Sequence, residues 1–193
     1  MTTINKDEEV KIAIMEAAKR VFQKWGLNKT TMEDIAHEAG KGKSTLYYYY
    51  KSKDELFKEF AISELNLIIN KAKASIDQIS SARAKLKKYI ATLLIEMKKS
   101  VSIFPLLNGE IKGNKKIMEQ LINEMNEKEE SVIEEILTLG FNTGEFHFLN
   151  KNNIQKAANV TVAIARGLQL YLFFDNEDNE KIDIVTRMIS EGM

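Results

Sequence analysis

No cysteine occurs in this chain of 193 residues, and there is only one proline and one tryptophan. Without cysteine there is no disulfide framework, no thiolate metal site and no thiol nucleophile. With one proline and nine glycines, few breakers interrupt the stretches rich in Lys, Glu, Leu, Ile and Ala, so an all-α protein is expected. Long hydrophobic runs are missing too. The apolar stretches 90–95 and 168–174 are too short or too interrupted to span a bilayer. The opening residues, Met1 to Asp7, are polar and form no apolar signal segment. A cytoplasmic protein with no membrane partner is expected.

A net charge of either sign is also lacking, since 28 basic residues balance 28 acidic ones. Their distribution is uneven. Residues 1–53 carry 10 Lys+Arg and 7 Asp+Glu, and residues 54–193 carry 18 and 21. A basic end suits phosphate, and an acidic remainder is kept away from it.

What is present is helical periodicity. Val10, Ile14, Ala17, Ala18, Val21, Phe22 and Trp25 form one face of a first helix, which Gly26 stops. Thr30 and Thr31 each stand three residues before an acid, Glu33 and Asp34, so either threonine can cap a second helix. That helix turns Met32, Ile35, Ala36 and Ala39 inward and ends at Gly40. After Gly40-Lys41-Gly42 a third short helix carries Ser44 to Tyr50. A fourth begins at Ser52-Lys53-Asp54-Glu55, with Ser52 and Glu55 in capping-box register, and runs through Leu56, Phe60, Ser63, Leu67 and Asn70 to Ile76 or Ile79. Helix, tight glycine-bearing turn, helix is the helix-turn-helix unit.

Leu86, Ile90, Leu93, Met97 and Val101 mark a fifth helix, and Pro105 a bend over 103–107. Ile117, Leu121, Met125, Val132, Ile136 and Leu139 mark a long helix ending near Gly140. Asn142 to Glu145 form a turn. Asn150 can cap a helix to Phe174, and Ile182, Val185, Met188 and Ile189 stripe a last one.

The stretch Thr31-Met32-Glu33-Asp34-Ile35-Ala36, Ala39-Gly40, Thr45-Leu46-Tyr47, Ser52-Lys53 and Leu56 resembles, in one ungapped register, the TetR family of bacterial regulators. The strong match covers about 30 residues. Departures include Lys41 where a small apolar residue is usual, Ser44 for glycine and Tyr50 for phenylalanine. The resemblance implies a helix-turn-helix DNA-binding domain over 1–55 and a helical ligand-binding and dimerisation domain over 56–193, with about nine helices in all.

A major groove about 12 Å wide admits one α-helix, whose N-terminal half meets base edges. Lys43 there can reach a phosphate or a guanine. The Ser44 and Thr45 hydroxyls can bond either, and the rings of Tyr47, Tyr48 and Tyr49 can pack on thymine methyls. Thr31 and Lys53, at helix starts, suit phosphates. Leu46 and Tyr50, four residues apart, are read as core.

Catalytic and metal chemistry lack a constellation. His37 and His147 have no ligand company at helical spacing, and His147 between Phe146 and Phe148 reads as a packing residue. Glu127, Glu129, Glu130, Glu134 and Glu135 read as a solvated helix face. No phosphate loop or nucleophile–base pair appears. The chain is therefore expected not to be an enzyme and to need no cofactor or metal.

The helix 150–174 is apolar nearly all round, so one side needs a partner beyond its own domain. The family pairs its last two helices with those of a second subunit, which suggests a homodimer through Ala158, Ala165, Gly167, Val185, Met188 and Ile189. The resemblance also implies a small-molecule cavity among the middle helices. Its candidate lining residues are Tyr89, Leu93, Met97, Phe104, Leu107, Met118, Leu121, Met125, Phe146, Gln169 and Phe173, with Tyr89, Asn159 and Gln169 as polar groups. The expected function is a transcriptional regulator, a repressor released from a palindromic operator in double-stranded DNA by a small apolar ligand. The rival reading is a helical protein–protein adaptor that binds no DNA.

Overall fold

A computed structural model of the chain describes residues 6–103, 115–174 and 179–191, with side chains described for all of these but 101–103, 115–118, 169–174 and 179. Among the described residues there are eight helices and no strand: α1 Lys6–Lys29, α2 Met32–Glu38, α3 Lys43–Tyr49, α4 Lys53–Ala74, α5 Ala82–Ile103, α6 Lys115–Thr143, α7 Ile154–Phe174 and α8 Asn179–Glu191. The proline bend expected at 103–107 lies almost wholly outside the described residues. Two compact units emerge, one of residues 1–64 with 103–121, the other of 65–102 with 122–193.

The first unit is built on α1. Ile14, Ala17, Ala18, Val21 and Phe22 are buried along one face, at the spacing read from the sequence. Trp25, expected inward, is instead 40% exposed, with the Lys24 ammonium 5.0 Å from its ring centre. The reason lies next door. Gly26 adopts φ 77°, ψ 172°, a combination open essentially to glycine alone, and breaks the stripe within α1. Past the break, Leu27 is buried and the Thr30 hydroxyl donates to the Gly26 carbonyl at 2.5 Å. Phe22 meets Phe57 edge-on at 5.2 Å and lies 5.7 Å from Phe60, which fixes the start of α4 against α1. Each such buried ring contributes about 1.5–3 kcal/mol.

On α4 the expected stripe fails halfway. Leu56 and Phe60 are buried as read, but Leu67 is 52% exposed and Asn70 is exposed, while Ile68, Ile69 and Ala72 are buried. Steps of 3, 4 and 3 from Phe60 lag behind a helix of 3.6 residues per turn, and the true face moves one residue on.

In the second unit Ile90, Leu93, Leu94, Val132, Ile133, Ile136, Leu137, Val162 and Ile182 share one core. The long helix α6 does not stop at Gly140. It continues through Gly140 to Thr143, and the Phe146 ring packed on Gly140 leaves no room for a side chain; a Cβ there would fall 2.0 Å from a ring carbon. Gly144 at φ 73° makes the actual turn. Glu145 then reaches the start of α5. Its carboxylate accepts from Ser81 Oγ at 2.6 Å, Ala82 N at 2.9 Å and Arg83 N at 3.0 Å. The Arg83 guanidinium in turn donates to the Glu145 and Ser190 carbonyls and lies over the Phe146 ring at 5.4 Å. One acid thus caps α5 and, through Arg83, joins the 144–149 turn to the end of α8.

Asn150 does not open α7 directly. It forms a turn with Asn152 and Asn153, Asn153 Oδ1 accepting from Asn150 N at 2.7 Å, and the helix begins at Ile154.

Candidate nucleic-acid interface

The turn between α2 and α3 is held from both ends. Of the two threonines that could cap α2, Thr31 does so: its hydroxyl oxygen accepts from Asp34 N at 3.1 Å, and Asp34 Oδ2 accepts from Thr31 N at 2.9 Å. The Thr31 hydroxyl also holds the Asp34 carboxyl below its usual pKa, donating to it at 2.6 Å. At the other end Gly40 takes φ 62°, Lys41 N donates to the Ala36 carbonyl and Gly40 N to the His37 carbonyl, which closes α2 in a Schellman motif. Gly42 then starts α3. Leu46 at 0% and Tyr50 at 2% exposure anchor α3 and its end in the core, as read, and the Tyr50 hydroxyl donates to Glu59 at 3.1 Å.

With Leu46 inward, the opposite face of α3 is turned out. Lys43, Ser44, Tyr47 and Tyr48 are exposed, Tyr48 at 78%, and Thr45 and Tyr49 are half-buried. Residues 41–53 hold four lysines and no acid. Lys43 pairs with Glu33 of α2, which lowers the Glu33 pKa and raises that of Lys43, and its ammonium lies 5.7 Å from the Tyr47 ring. The Tyr48 and Tyr49 rings meet edge-on at 5.0 Å, and Tyr49 is tied to α1 by its hydroxyl, which donates to Asp7 at 2.8 Å.

Lys53, expected to suit a phosphate at the start of α4, has its ammonium engaged within the protein. Its ammonium donates to the Leu27 carbonyl at 2.6 Å and the Thr30 carbonyl at 2.8 Å, with Asn28 at 3.4 Å. It serves as the C-terminal cap of α1, and its positive charge sits where the helix dipole is negative. Ser52 caps α4 through Glu55 N at 3.1 Å, while the Glu55 carboxylate accepts from Lys51 N at 2.8 Å. Glu33, the partner of Lys43, escaped the sequence reading; its α2 position gives no sign of which α3 residue it meets.

The second unit redistributes the other candidates. Ala158 and Ala165, at 1% exposure each, and Ile189 at 8% belong to the protomer's own core. The open faces of α7 and α8 carry instead Val160 (57%), Ile164 (44%), Ile184 (50%) and Met188 (70%), together with exposed Gly167; Val185 is half-buried. Of the expected cavity lining, Tyr89, Leu93, Met97, Met125 and Phe146 join the second unit's core. Leu121 falls in the first unit, and Asn159 is exposed. Phe104 and Leu107 lie outside the described residues, as do the side chains of Met118, Gln169 and Phe173. A groove of about 210 Å³ opens elsewhere, between Lys73, Ile76, Lys85, Val132 and Glu135.

One acid and one histidine differ from the sequence reading. His147, expected as a packing residue, is exposed, as is His37. Glu129, placed on the solvated face, is 1% exposed. Its Oε2 accepts from the Arg166 guanidinium at 3.1 Å, and burial raises its pKa to about 7 against the opposing pull of Arg166. Tyr89, also fully buried, is pushed up by desolvation and by the Glu129 charge. Four buried atoms here have no hydrogen-bond partner: Tyr89 Oη, Asn126 Oδ1, Glu129 Oε1 and Arg166 Nε. Each such group costs about 1–3 kcal/mol of stability.

Comparison with known proteins agrees with the helix-turn-helix geometry. A family model for bacterial regulatory proteins of the tetR family matches residues 14–60. The chain is 31% identical over 93 residues to the HTH-type transcriptional regulator YfiR of Bacillus subtilis, covering 48% of this chain and 44% of that protein. It thus spans less than half the length of that relative. With the Bacillus subtilis fatty acid metabolism regulator it shares 24% identity over 132 residues, 68% of each chain. Among solved structures, a Clostridium perfringens protein described as a fatty acid metabolism regulator superposes with a TM-score of 0.66 at 28% identity, covering 94% of this chain and 98% of that one. FadR of Bacillus subtilis, solved with stearoyl-CoA, gives 0.72 at 19% identity over 94% and 98%, a likeness of fold. α2, the glycine turn and α3 all fall inside the segment that matches the tetR family of bacterial regulatory proteins.

Proposed function

We propose that the protein is a DNA-binding transcriptional regulator, a cytoplasmic repressor that grips a palindromic operator as a homodimer and leaves it when a small, largely apolar ligand binds. The observation that carries the reading is α3: a seven-residue helix with Leu46 sunk in the core and Lys43, Ser44, Tyr47 and Tyr48 presented to solvent. A buried anchor on one side and polar and aromatic groups on the other suit a helix entering the major groove. Lys43 exchanges its exposed ion pair with Glu33 for phosphate or guanine, and Thr31, Thr45 and Tyr49 flank it.

The dimer rests on Val160, Ile164, Ile184 and Met188, apolar side chains that one protomer leaves in water and a two-fold partner would cover. The fatty acid metabolism regulators among its relatives support a long-chain acyl compound as the ligand. Residues 65–74 of α4 belong to the second unit and 53–64 to the first, so a single helix is common to both.

The test is selection of binding sites from random duplex DNA, followed by titration over a range of salt. A palindromic consensus is expected, with affinity falling by about 0.9 log unit per log unit of salt for each phosphate neutralised. Recovery of no consensus, with weak and salt-insensitive binding, would refute the reading.

A further inference from the structure

Four polar atoms of the second unit are buried without a partner, on three helices: Tyr89 Oη on α5, Asn126 Oδ1 and Glu129 Oε1 on α6, and Arg166 Nε on α7. Nothing in their backbone roles requires them. An apolar side chain at any of the four would fill the same core without an unmet hydrogen bond.

They belong together. Arg166 bonds Glu129 directly, Asn126 stands three residues before Glu129 on the same side of α6, and Tyr89 is close enough to feel the Glu129 charge. Two of the atoms, Asn126 Oδ1 and Glu129 Oε1, only accept when Glu129 is ionised. The other two, the Tyr89 hydroxyl and the Arg166 Nε–H, donate.

We propose that this cluster binds the amide group of the ligand. The assignment rests on the acyl-ligand reading above and adds to it the chemistry of the polar end. An amide carbonyl has two lone pairs, which the Tyr89 hydroxyl and Arg166 Nε–H fill. Its nitrogen carries hydrogens for Asn126 and Glu129; a primary amide satisfies all four atoms and a secondary amide three of them. A carboxylate brings no hydrogen for the Asn126 oxygen or for ionised Glu129, and an ester also lacks one. The apolar surroundings suit an aliphatic chain. Leu93 and Met97 continue the Tyr89 side of α5 at four-residue steps, Met125 lies one turn before Glu129, and flexible methionines repack around a guest.

Two sources could present this amide to the site, a fatty acid amide or the amide-bearing thiol arm of an acyl thioester, and the probes separate them. Dodecanamide, S-dodecanoyl-N-acetylcysteamine, dodecanoate and methyl dodecanoate share one chain length. Their affinities are measured by calorimetry on the full-length wild-type protein and two variants. We expect the better of the two amides to bind about tenfold or more tightly than the methyl ester, the preference a site built around hydrogen bonds gives. Which amide it is identifies the source.

Tyr89→Phe removes one oxygen and should reduce that preference severalfold while leaving ester affinity unchanged. The double change Glu129→Leu with Arg166→Met replaces the ion pair by apolar groups, a change that buried pairs tolerate, and should abolish the preference with helicity and operator binding retained. If the ester and the amides bind alike, or the preference survives in both variants, the assignment is overturned while the acyl-ligand reading stands. If no probe binds and none releases the operator, the acyl-ligand reading falls and the assignment with it.

Discussion

Single side chains decide more of this structure than their number suggests, and Glu145 is the clearest case. Its carboxyl is held at a pKa of about 2, down from 4.5, by the Ser81 hydroxyl and the N–H groups of Arg83 and Ala82. A carboxyl with a depressed folded pKa lends stability that is complete above 4.5 and fades as pH falls from there towards 2. Glu145→Ala should therefore cost about 1.5–3 kcal/mol at neutral pH by urea denaturation, and the gap to wild type should narrow in acid. A gap independent of pH would mean the charge is irrelevant. Gly140→Ala tests a steric claim. Alanine is the better helix former by about 0.8–1 kcal/mol, yet its methyl would land on the Phe146 ring, so a lower urea midpoint is expected. None of this was legible in the sequence, where Glu145 was a turn residue and Gly140 a helix stop. Their partners lie 62 to 64 residues away in the first case and in an aromatic ring of unforeseeable position in the second. Glu129 is a different case: the stripe Leu121, Met125, Val132 and Ile136 passes through it at steps of four and three, and the four acids around it in the sequence mask that phase.

At the scale of elements, the helix-turn-helix was read almost whole, because its signals are local. A cap three residues from its acid, a glycine at positive φ and two core residues four apart all act within one turn of helix. Sequence left open which threonine caps α2; the burial of Thr30 against Gly26 resolves it. Thr31→Ala should cost about 1 kcal/mol of stability. Tyr48→Ala, at a side chain mostly in water, should leave the melting temperature unchanged and weaken binding to a selected operator far more than to random duplex. Lys53→Met makes the opposite demand. Three carbonyls at the end of α1 lose their donor, so the first unit should melt earlier and bind every DNA sequence less well. Unchanged melting would return Lys53 to the role of a free phosphate cation. The lower half of α4 was less legible, since a stripe extended in alternating steps drifts off the true face after two turns.

For the whole molecule, the distinction between apolar and buried matters most. The sequence marks α7 as apolar on every side, and both alanines chosen for a subunit contact turn out to serve the protomer's own core. Ala165→Arg should accordingly unfold the second unit. Met188→Glu or Ile164→Glu should give folded monomers, distinguished by sedimentation and circular dichroism; a persistent dimer in both would place the contact elsewhere. The first unit also carries the chain's sole tryptophan. Trp25 stands next to the glycine break of α1, 40% exposed, beside a lysine ammonium. That position makes it a built-in optical probe. Its emission should start red-shifted, quench more readily with iodide than with caesium, and report on the first unit alone. Helix loss by circular dichroism follows both units in the same cuvette, so loss that leaves the Trp25 emission unchanged belongs to the other half, and the order in which the two come apart can be watched without attaching a dye.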